Sequence, residues 1–312
     1  MPNVIYDNFY LSNEIEDQFN SHLDLQQFCT VDRGLELTSG MKRKVNRYRA
    51  SSGTQKLAMG EGNTESIEVS YAPFEYNIQL AQNRFQYYDE QAMTDPMLVP
   101  VGVRHMGTDM FNTTNADIYG EFAKATRILP VSAFDFAAFA DAQSMLNLEN
   151  LEDVFQFAFV CAKDMASIRK SLKDDLKYVE AFARNGYVGT VAGVNLYTKK
   201  DATQGDIYLA TQQAVTMFVK TGTEVEQSVK NTRSATDANT RLNTLFARKY
   251  YLAALTDERM DIHIAYGKTA TATTDTTVQE GTTYYEKDGA GYVAVTPAAG
   301  DNPKTKGWYT IA

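Results

Sequence analysis

The stretch from Met41 to Thr126 constrains this chain most, because its hydrophobic period changes partway along. It opens with MKRKVNRYR, where Lys42, Arg43, Lys44, Arg47 and Arg49 stand with no acid among them. A turn-rich tip, ASSGTQKLAMGEGNTE, carries Glu61 and Glu65, and the return run SIEVSYAPFEYNIQLAQNRFQYYDEQAMTDP adds Glu68, Glu75, Asp89, Glu90 and Asp95 against one cation, Arg84. Two strands with a loose tip between them predict a hairpin. Ile67, Val69 and Tyr71 alternate with Ser66, Glu68 and Ser70, and the opposing strand is half cationic, so the hairpin is too polar for an ordinary core. A two-stranded ribbon is at best marginally stable alone in water. It needs another surface to lie on, and the charge segregation predicts that basic residues of one copy meet acidic residues of the next. The expected inter-subunit residues are Lys42, Arg43, Lys44, Arg47, Arg49, Glu61, Glu65, Glu68, Asp89 and Glu90. A basic strand that follows phosphates, or one that is merely solvated, stays open as an alternative.

After Pro96 the period lengthens from two to about four. Met106, Met110, Thr114, Ile118, Phe122 and Ala125 fall along one helical row, with Asp109, Asn115 and Glu121 off it. The pattern predicts an amphipathic helix from about Met97, or a few residues later, to Thr126. Pro100 and Gly102 blur its start.

An arm, a projecting hairpin and a long helix, in that order, resemble the major capsid protein of tailed bacteriophages, the Hong Kong-type coat fold shared with encapsulins. The residues that carry the resemblance are NFYLSNEIEDQFNSHLDLQQFCTVD from Asn8, GMKRKVNRY from Gly40, GEGN from Gly60 and QNRFQYYDEQAMTDP from Gln82 to Pro96. None is a catalytic fingerprint; the specificity lies in their order. The resemblance covers roughly residues 1–266 and implies an α+β fold. Its parts would be an N-terminal arm (1–35), an extended loop hairpin with base strands (36–93), a peripheral domain with a long spine helix (94–133 and 223–267) and an axial domain (134–222). A Thr-rich linker with a small appended β module (268–312) falls outside it.

With 312 residues, 44% of them hydrophobic, the chain has ample material for a buried core and is long enough for two or three compact lobes. No apolar run reaches the ~18 residues of a membrane span, and MPNVIYDNFYLS lacks the basic start and apolar centre of a secretory signal. Two distant cysteines, Cys29 and Cys161, fit packed thiols in a reducing cytosol, with a disulfide between them as the other reading. The formal charge of −9 argues against a sequence reader of nucleic acid.

Along the chain, Leu11, Ile15 and Phe19 mark a short helix in the arm, and Leu23, Leu25 and Phe28 continue its apolar content. In the coat family this arm runs along neighbouring subunits; an arm folded back on its own domain is the other reading. From Phe134 to about Thr223 helices and strands alternate. Phe136, Phe139, Ala140 and Gln143 suggest a helix, FQFAFVCA a buried strand, and Asp164 to Leu172 a helix with Met165, Ile168 and Leu172 inward. GYVGTVAGVNLYT reads as a hairpin kinked at Gly186, Gly189 and Gly193, and DIYLATQQAVTMFV as two strands. Thr256 to Arg259 reads as a turn joining Tyr250–Leu255 to Met260–Tyr266 in a further hairpin, paired with the base of the arm under the long helix; in its second strand Met260, Ile262, Ile264 and Tyr266 alternate with Asp261, His263 and Ala265. YYEKDGAGYVAVTP and NPKTKGWYTI suggest three short strands with Trp308 packed among Tyr284, Tyr285 and Tyr292. A unit of that size cannot stabilise itself and should lean on the body or a neighbour. An aromatic carbohydrate patch is the sharper alternative to a small aromatic core.

Signatures of catalysis are missing: there is no P-loop, GxSxG or HExxH, and Gly60-Glu61-Gly62 is a turn signal. His22, His105 and His263 lie in separate segments, and the acid pairs Asp89/Glu90 and Asp174/Asp175 are adjacent in sequence and so face apart. No cofactor or metal is expected. Some coats of this fold crosslink through an arm lysine; Lys56 is the plausible donor here, but no motif supplies its asparagine or glutamate.

The expected function is therefore structural: the coat subunit of a tailed double-stranded DNA phage head, forming pentamers and hexamers of an icosahedral shell. The expected partners are other copies of the chain, a separate scaffolding protein, a portal, decoration proteins and packaged DNA bound without sequence readout, in a virion assembled in the host cytoplasm. An encapsulin-type compartment is the alternative, and a secreted binding protein with a Trp308 module a more distant one.

Overall fold

The computed structural model of the chain describes residues 23–36, 39–50, 53–149, 153–173 and 189–312. The expected helix around Leu11, Ile15 and Phe19, and with it His22, Asp174, Asp175 and Gly186, lies outside the described residues.

In chain order, a 3-10 turn at Leu25–Phe28 precedes a short strand, β1 (Thr30–Asp32). The charged strand β2 (Lys42–Ala50), its partner β3 (Val69–Asn77), β4 (Gln79–Tyr88), α1 (Asp89–Thr94) and the long helix α2 (Leu98–Phe122) come after it. Next come β5 (Arg127–Val131), α3 (Phe136–Leu146), β6 (Gln156–Val160), α4 (Ala162–Ser171), β7 (Thr190–Val191), β8 (Val194–Thr198), β9 (Asp206–Thr211) and β10 (Val215–Ser228). The last part comprises α5 (Ala235–Thr240), β11 (Leu242–Leu255), β12 (Asp261–Tyr266), β13 (Ala270–Ala272), β14 (Tyr284–Asp288), β15 (Gly291–Val295), α6 (Pro303–Lys306) and β16 (Tyr309–Ile311). These fall into two units. One is built from the described residues of 1–30, 111–216 and 255–312, the other from those of 31–110 and 217–254.

The first unit is built on a ten-stranded mixed sheet in the order β13-β16-β14-β15-β5-β12-β9-β6-β8-β7. β6 is buried at every residue, which is why, after Gln156, it reads as a continuous apolar run rather than an alternating one. Against one face α3 and α4 pack Phe139, Ala142, Met145 and Ile168 onto Leu129, Ala158, Leu209 and Ile264. α3 starts where the Asp135 carboxylate accepts from the Ala138 N–H at 2.9 Å and stops at Asn147 in a left-handed conformation. In α4 the buried Asp164 carboxylate accepts from the Gly205 N–H at 2.8 Å.

Aromatic rings gather around Phe28 at the end of the arm: its ring lies 4.8 Å from Phe157, 5.3 Å from Phe159 and 4.6 Å from Tyr197. From the far end of α2, Phe122 joins Phe157 at 5.6 Å. This part of the arm therefore folds back on its own unit. Asn115, expected off the apolar row of α2, is buried because its side chain accepts from Leu25 N–H at 3.1 Å and donates to Leu23 C=O at 2.9 Å.

Two expectations need correction. β11 and β12 do not pair with each other: β11 runs antiparallel to β4, while β12 lies parallel to β5 and antiparallel to β9. The 3-10 turn at Glu258–Met260 hands the chain from one sheet to the other. Nor does β12 alternate inside and outside, since Asp261, Ile262, Ile264 and Ala265 are all buried.

The C-terminal segment continues the main sheet rather than hanging from it. β15 pairs with β5 (Tyr292↔Ile128, Val293↔Arg127), and Gly291 lies so close to Met145 that a Cβ there would sit 2.4 Å from its sulfur. Trp308 is buried 5.8 Å from Tyr284, whose hydroxyl donates to Asp275 at 2.8 Å; Tyr292 packs on Tyr309 instead. With Trp308 buried, the carbohydrate-patch reading of that residue fails.

In the second unit a four-stranded sheet has the order β1-β10-β11-β4. β4 and β11 pair from Leu242↔Tyr88 to Tyr251↔Gln79. One face, with Phe85, Leu245 and Ala247, packs on Met106 and Met110 of α2. The expected row holds as far as the helix does: Met106, Met110, Thr114, Ile118 and Phe122 are all buried, whereas α2 stops at Phe122, so Ala125, expected on the row, lies past its end and is only half-buried. Gly102 allows α2 to lie close to the sheet, since a Cβ there would stand 2.5 Å from the Phe85 ring.

Candidate assembly surface

β2 and β3 form a sheet of their own, an antiparallel ribbon in register from Lys42↔Asn77 to Ala50↔Val69. Its base is fixed. The Ile78 N–H donates to Met41 C=O at 2.8 Å, Ile78 is buried, and Tyr76 stacks on Phe218 at 5.0 Å. Its tip is held by polar turns: Asn63 Nδ2 donates to Gly53 C=O at 3.1 Å, and the Glu61 carboxylate accepts from Ala58 N–H at 3.2 Å. Between base and tip apolar side chains stand in solvent, with Ile67 57% and Val69 63% exposed and Met59 fully so. A monomer rarely leaves such a stripe uncovered without a use for it.

The predicted interface residues fall into three groups. On the ribbon, Lys42 and Lys44 both face Glu75 of the same chain, at 4.0 and 3.9 Å, and Arg43 Nη2 reaches Asp32 at 3.1 Å. The two lysine contacts are solvent-exposed, so each contributes only ~0.2–1 kcal/mol. Arg47 and Arg49 occupy register positions opposite Ala72 and Ser70; their side chains lie outside the described residues. At the tip, Glu61, Glu65 and Glu68 are exposed.

Asp89 and Glu90 open α1, away from the ribbon, and have partners within the chain. Asp89 Oδ1 accepts from Arg233 Nη2 at 2.5 Å and from Asn243 Nδ2 at 2.8 Å, and Glu90 pairs with Arg241. The Arg233 guanidinium, with help from the Asn243 amide, holds the Asp89 carboxyl below the usual carboxylate range.

Sequence reasoning passed over Arg233 and Asn243. The available signal was Ser234 followed by Asp237, a helix-start pattern that fixes where Arg233 leaves the chain. The Ser234 hydroxyl accepts from Asp237 N–H at 3.2 Å and donates to its carboxylate at 2.7 Å.

Beside this network lies a cleft of about 330 Å³ lined by Tyr87, Asp89, Met93, Val229, Lys230 and Asn243. Its one carboxylate is already neutralised by Arg233. Among the described residues no group of three or more His, Cys, Asp or Glu could hold a metal ion, and no helix is long and apolar enough to cross a membrane. His105 is exposed, and His263 Nε2 lies 2.7 Å from Asp206 Oδ1 while its ring stacks on Tyr208. Cys29 is buried, with its thiol pushed up to about 12 by desolvation and then by Asp24, and Cys161 is half-buried; both are free. Lys56 is exposed on the tip.

No protein-family model matches the sequence, and comparison with curated proteins gives no match. Solved structures do match. A subunit of the bacteriophage PhiM1 mature capsid superposes with a TM-score of 0.63 at 10% identity, covering 86% of this chain and 92% of that one. Mycobacterium phage Che8 gives 0.59 at 16% identity over 85% and 96%. The virus-like particle from Pyrococcus furiosus gives 0.51 at 10% identity over 77% and 91%. At such identities the likeness speaks for the fold alone, but it spans nearly the whole of each of those chains. The chain has the α+β Hong Kong-type capsid fold common to the shell subunits of tailed phages.

Proposed function

We propose that the chain is the major capsid protein of a tailed double-stranded DNA phage, built to close shells from copies of itself. The observation that carries this reading is the ribbon: a projecting two-stranded sheet with exposed apolar side chains, in a fold whose solved examples are subunits of capsids. Head-to-tail repetition of one such contact closes into rings, here pentamers and hexamers. Obligate contacts of that kind bury roughly 2,000 Å² or more, an area the ribbon reaches only together with other surfaces. Arg47 and Arg49, set opposite uncharged positions, are the cations of β2 proposed to meet a neighbour's carboxylates. The division into peripheral and axial domains, the separate scaffold, the portal and the packaged DNA belong to the same proposal, as does location in the virion.

Electron microscopy of the purified protein tests it. Closed icosahedral shells are expected, and Arg47→Glu with Arg49→Glu should leave a folded subunit that forms no rings. A protein that stays monomeric at high concentration would sink the reading. A second reading, an encapsulin-type compartment, draws on the likeness to the Pyrococcus particle. Nucleic acid inside particles purified from the native source favours the phage head, and a co-purifying enzyme favours the compartment.

A further inference from the structure

The two legs of the ribbon are anchored differently. β3 runs into β4 with Ile78 alone between them, so that leg is continuous with the four-stranded sheet. β2 pairs with no strand of that sheet and enters just after Gly40, whose φ of 116° turns the chain into it. A two-stranded ribbon has no second layer to hold its direction, so the first leg needs a tie at the root.

Arg43 supplies that tie. Its register partner is Tyr76, on the same face of the ribbon, and Tyr76 stacks on Phe218 of β10 at 5.0 Å. Two positions further along β10, Lys220 Nζ donates to Leu35 C=O at 2.8 Å, and Arg43 Nη2 meets Asp32 Oδ2 at 3.1 Å. Leu35 is buried, and Gly34 N–H donates to Asp32 Oδ1 at 2.7 Å. The fit is close: a Cβ on Gly34 would stand 3.0 Å from that oxygen and 3.4 Å from Arg43 Nη2. Residues 32–36 thus form a strap over the root, fastened to the ribbon by Arg43 and to β10 by Lys220. Lys42 and Lys44, on the other face of β2, meet Glu75 of the ribbon itself.

The leverage at this point is large. The nine residues of β2 span ~30 Å, so a turn of about 10° at the root moves the far end by about 5 Å. That exceeds the ~4 Å within which ion pairs and apolar side chains stay in contact. We infer that Arg43 is a positioning residue: clasped to Asp32, it fixes the angle at which the ribbon leaves its sheet, and so the curvature that copies of the chain adopt when they join. The inference rests on the shell-forming reading and separates Arg43 from Arg47 and Arg49, because its charge is used within the chain.

Arg43→Met, Asp32→Asn and Lys42→Met test it in the whole chain. Asp32→Asn keeps an oxygen for the Gly34 N–H and loses only the charge, while Lys42→Met removes a cation from the other face of the same strand. The Ile78 N–H, which joins the two legs through Met41 C=O, reports on the root in the unassembled subunit. Its hydrogen exchange should quicken about tenfold in the first two variants, the effect of one charged hydrogen bond, and keep the wild-type rate in the third. By electron microscopy the first two should give particles of mixed diameter where the wild type and Lys42→Met give one. Arg43→Lys, which keeps the charge, should return most particles to that diameter. Equal effects of Arg43→Met and Lys42→Met, an Ile78 N–H that exchanges at the wild-type rate in Asp32→Asn, or uniform shells from both loosened variants would overturn the inference. A wild type that forms no shells would remove the capsid reading instead, and the exchange rates would still decide whether Arg43 holds the root.

Discussion

Asp261 begins β12 with its carboxyl group fully buried and neither oxygen in a hydrogen bond of good geometry. Desolvation pushes its pKa well above the ordinary carboxylate value. The unfolded chain ionises near ~3.9 while burial makes the folded chain hold this proton to higher pH, so native stability falls as pH rises from that value toward the raised one. Asp261→Asn removes the titration and keeps the shape. The variant should be more stable than wild type at pH 7, by a margin that shrinks to nothing near pH 3, as read from denaturant midpoints across that range. Asn115 makes the opposite case, a buried polar side chain fully used. Asn115→Leu strands the Leu25 N–H and the Leu23 C=O and should cost ~1–3 kcal/mol, read from the same denaturant midpoints. Neither residue was legible in the sequence. Asp261 sat where strand alternation assigned it to solvent, and Asn115 sat one step off the apolar row, with its partner ninety positions away.

At the scale of elements, the sequence was most readable where one face alone decided the pattern. The α2 row and the α4 stripe of Met165, Ile168 and Leu172 come from periodicity, while β6, buried on both faces, was read from its apolar content alone. It was least readable where two strands adjacent in sequence part company, as β11 and β12 do, because a tight turn looks the same whether its strands pair or separate. The charged candidates divided in the same way: composition revealed the segregation, but Glu75 and Arg233, which satisfy much of it within the chain, are fixed only by register and fold. Two elements yield predictions. Gly102→Ala improves helix propensity by ~1 kcal/mol, yet its methyl group meets the Phe85 ring. The net result should be a loss of about 1–2 kcal/mol, relieved when Phe85→Leu is added. The Asp89–Arg233 pair ties α1 to the turn before α5, and its depressed carboxyl pKa stabilises the fold above the unfolded value. That contribution disappears as pH falls through the lowered one. Asp89→Asn should therefore flatten the acid limb of the stability curve between about pH 4 and its foot, and hydrogen exchange in residues 230–243 should rise at neutral pH.

For the molecule as a whole, the C-terminal segment decides whether the shell fold ends at β12 or extends through residues 268–312. Composition suggested an appendage, since a Thr-rich stretch ahead of about thirty residues cannot hold a core of its own. The structure resolves the shortage by extension of the sheet: β15 lies on the edge of β5, β13 pairs with β16, and Tyr284 reaches back through its hydroxyl to Asp275 in the Thr-rich stretch. Gly291 then packs against Met145 of α3, so the segment also touches the central core. Removal of residues 268–312 would uncover the edge of the five-residue strand β5, the Ile128 side chain and one flank of Met145, an edge with apolar neighbours that can pair with other chains. The truncated protein should melt several degrees lower and aggregate before it assembles. Restoring the segment as a separate polypeptide should not rescue assembly at micromolar concentration, because its strands have no fold to keep them available. A truncated chain with an unchanged melting temperature and normal shells would show that the segment is an ornament, and that β5 is stable as an edge.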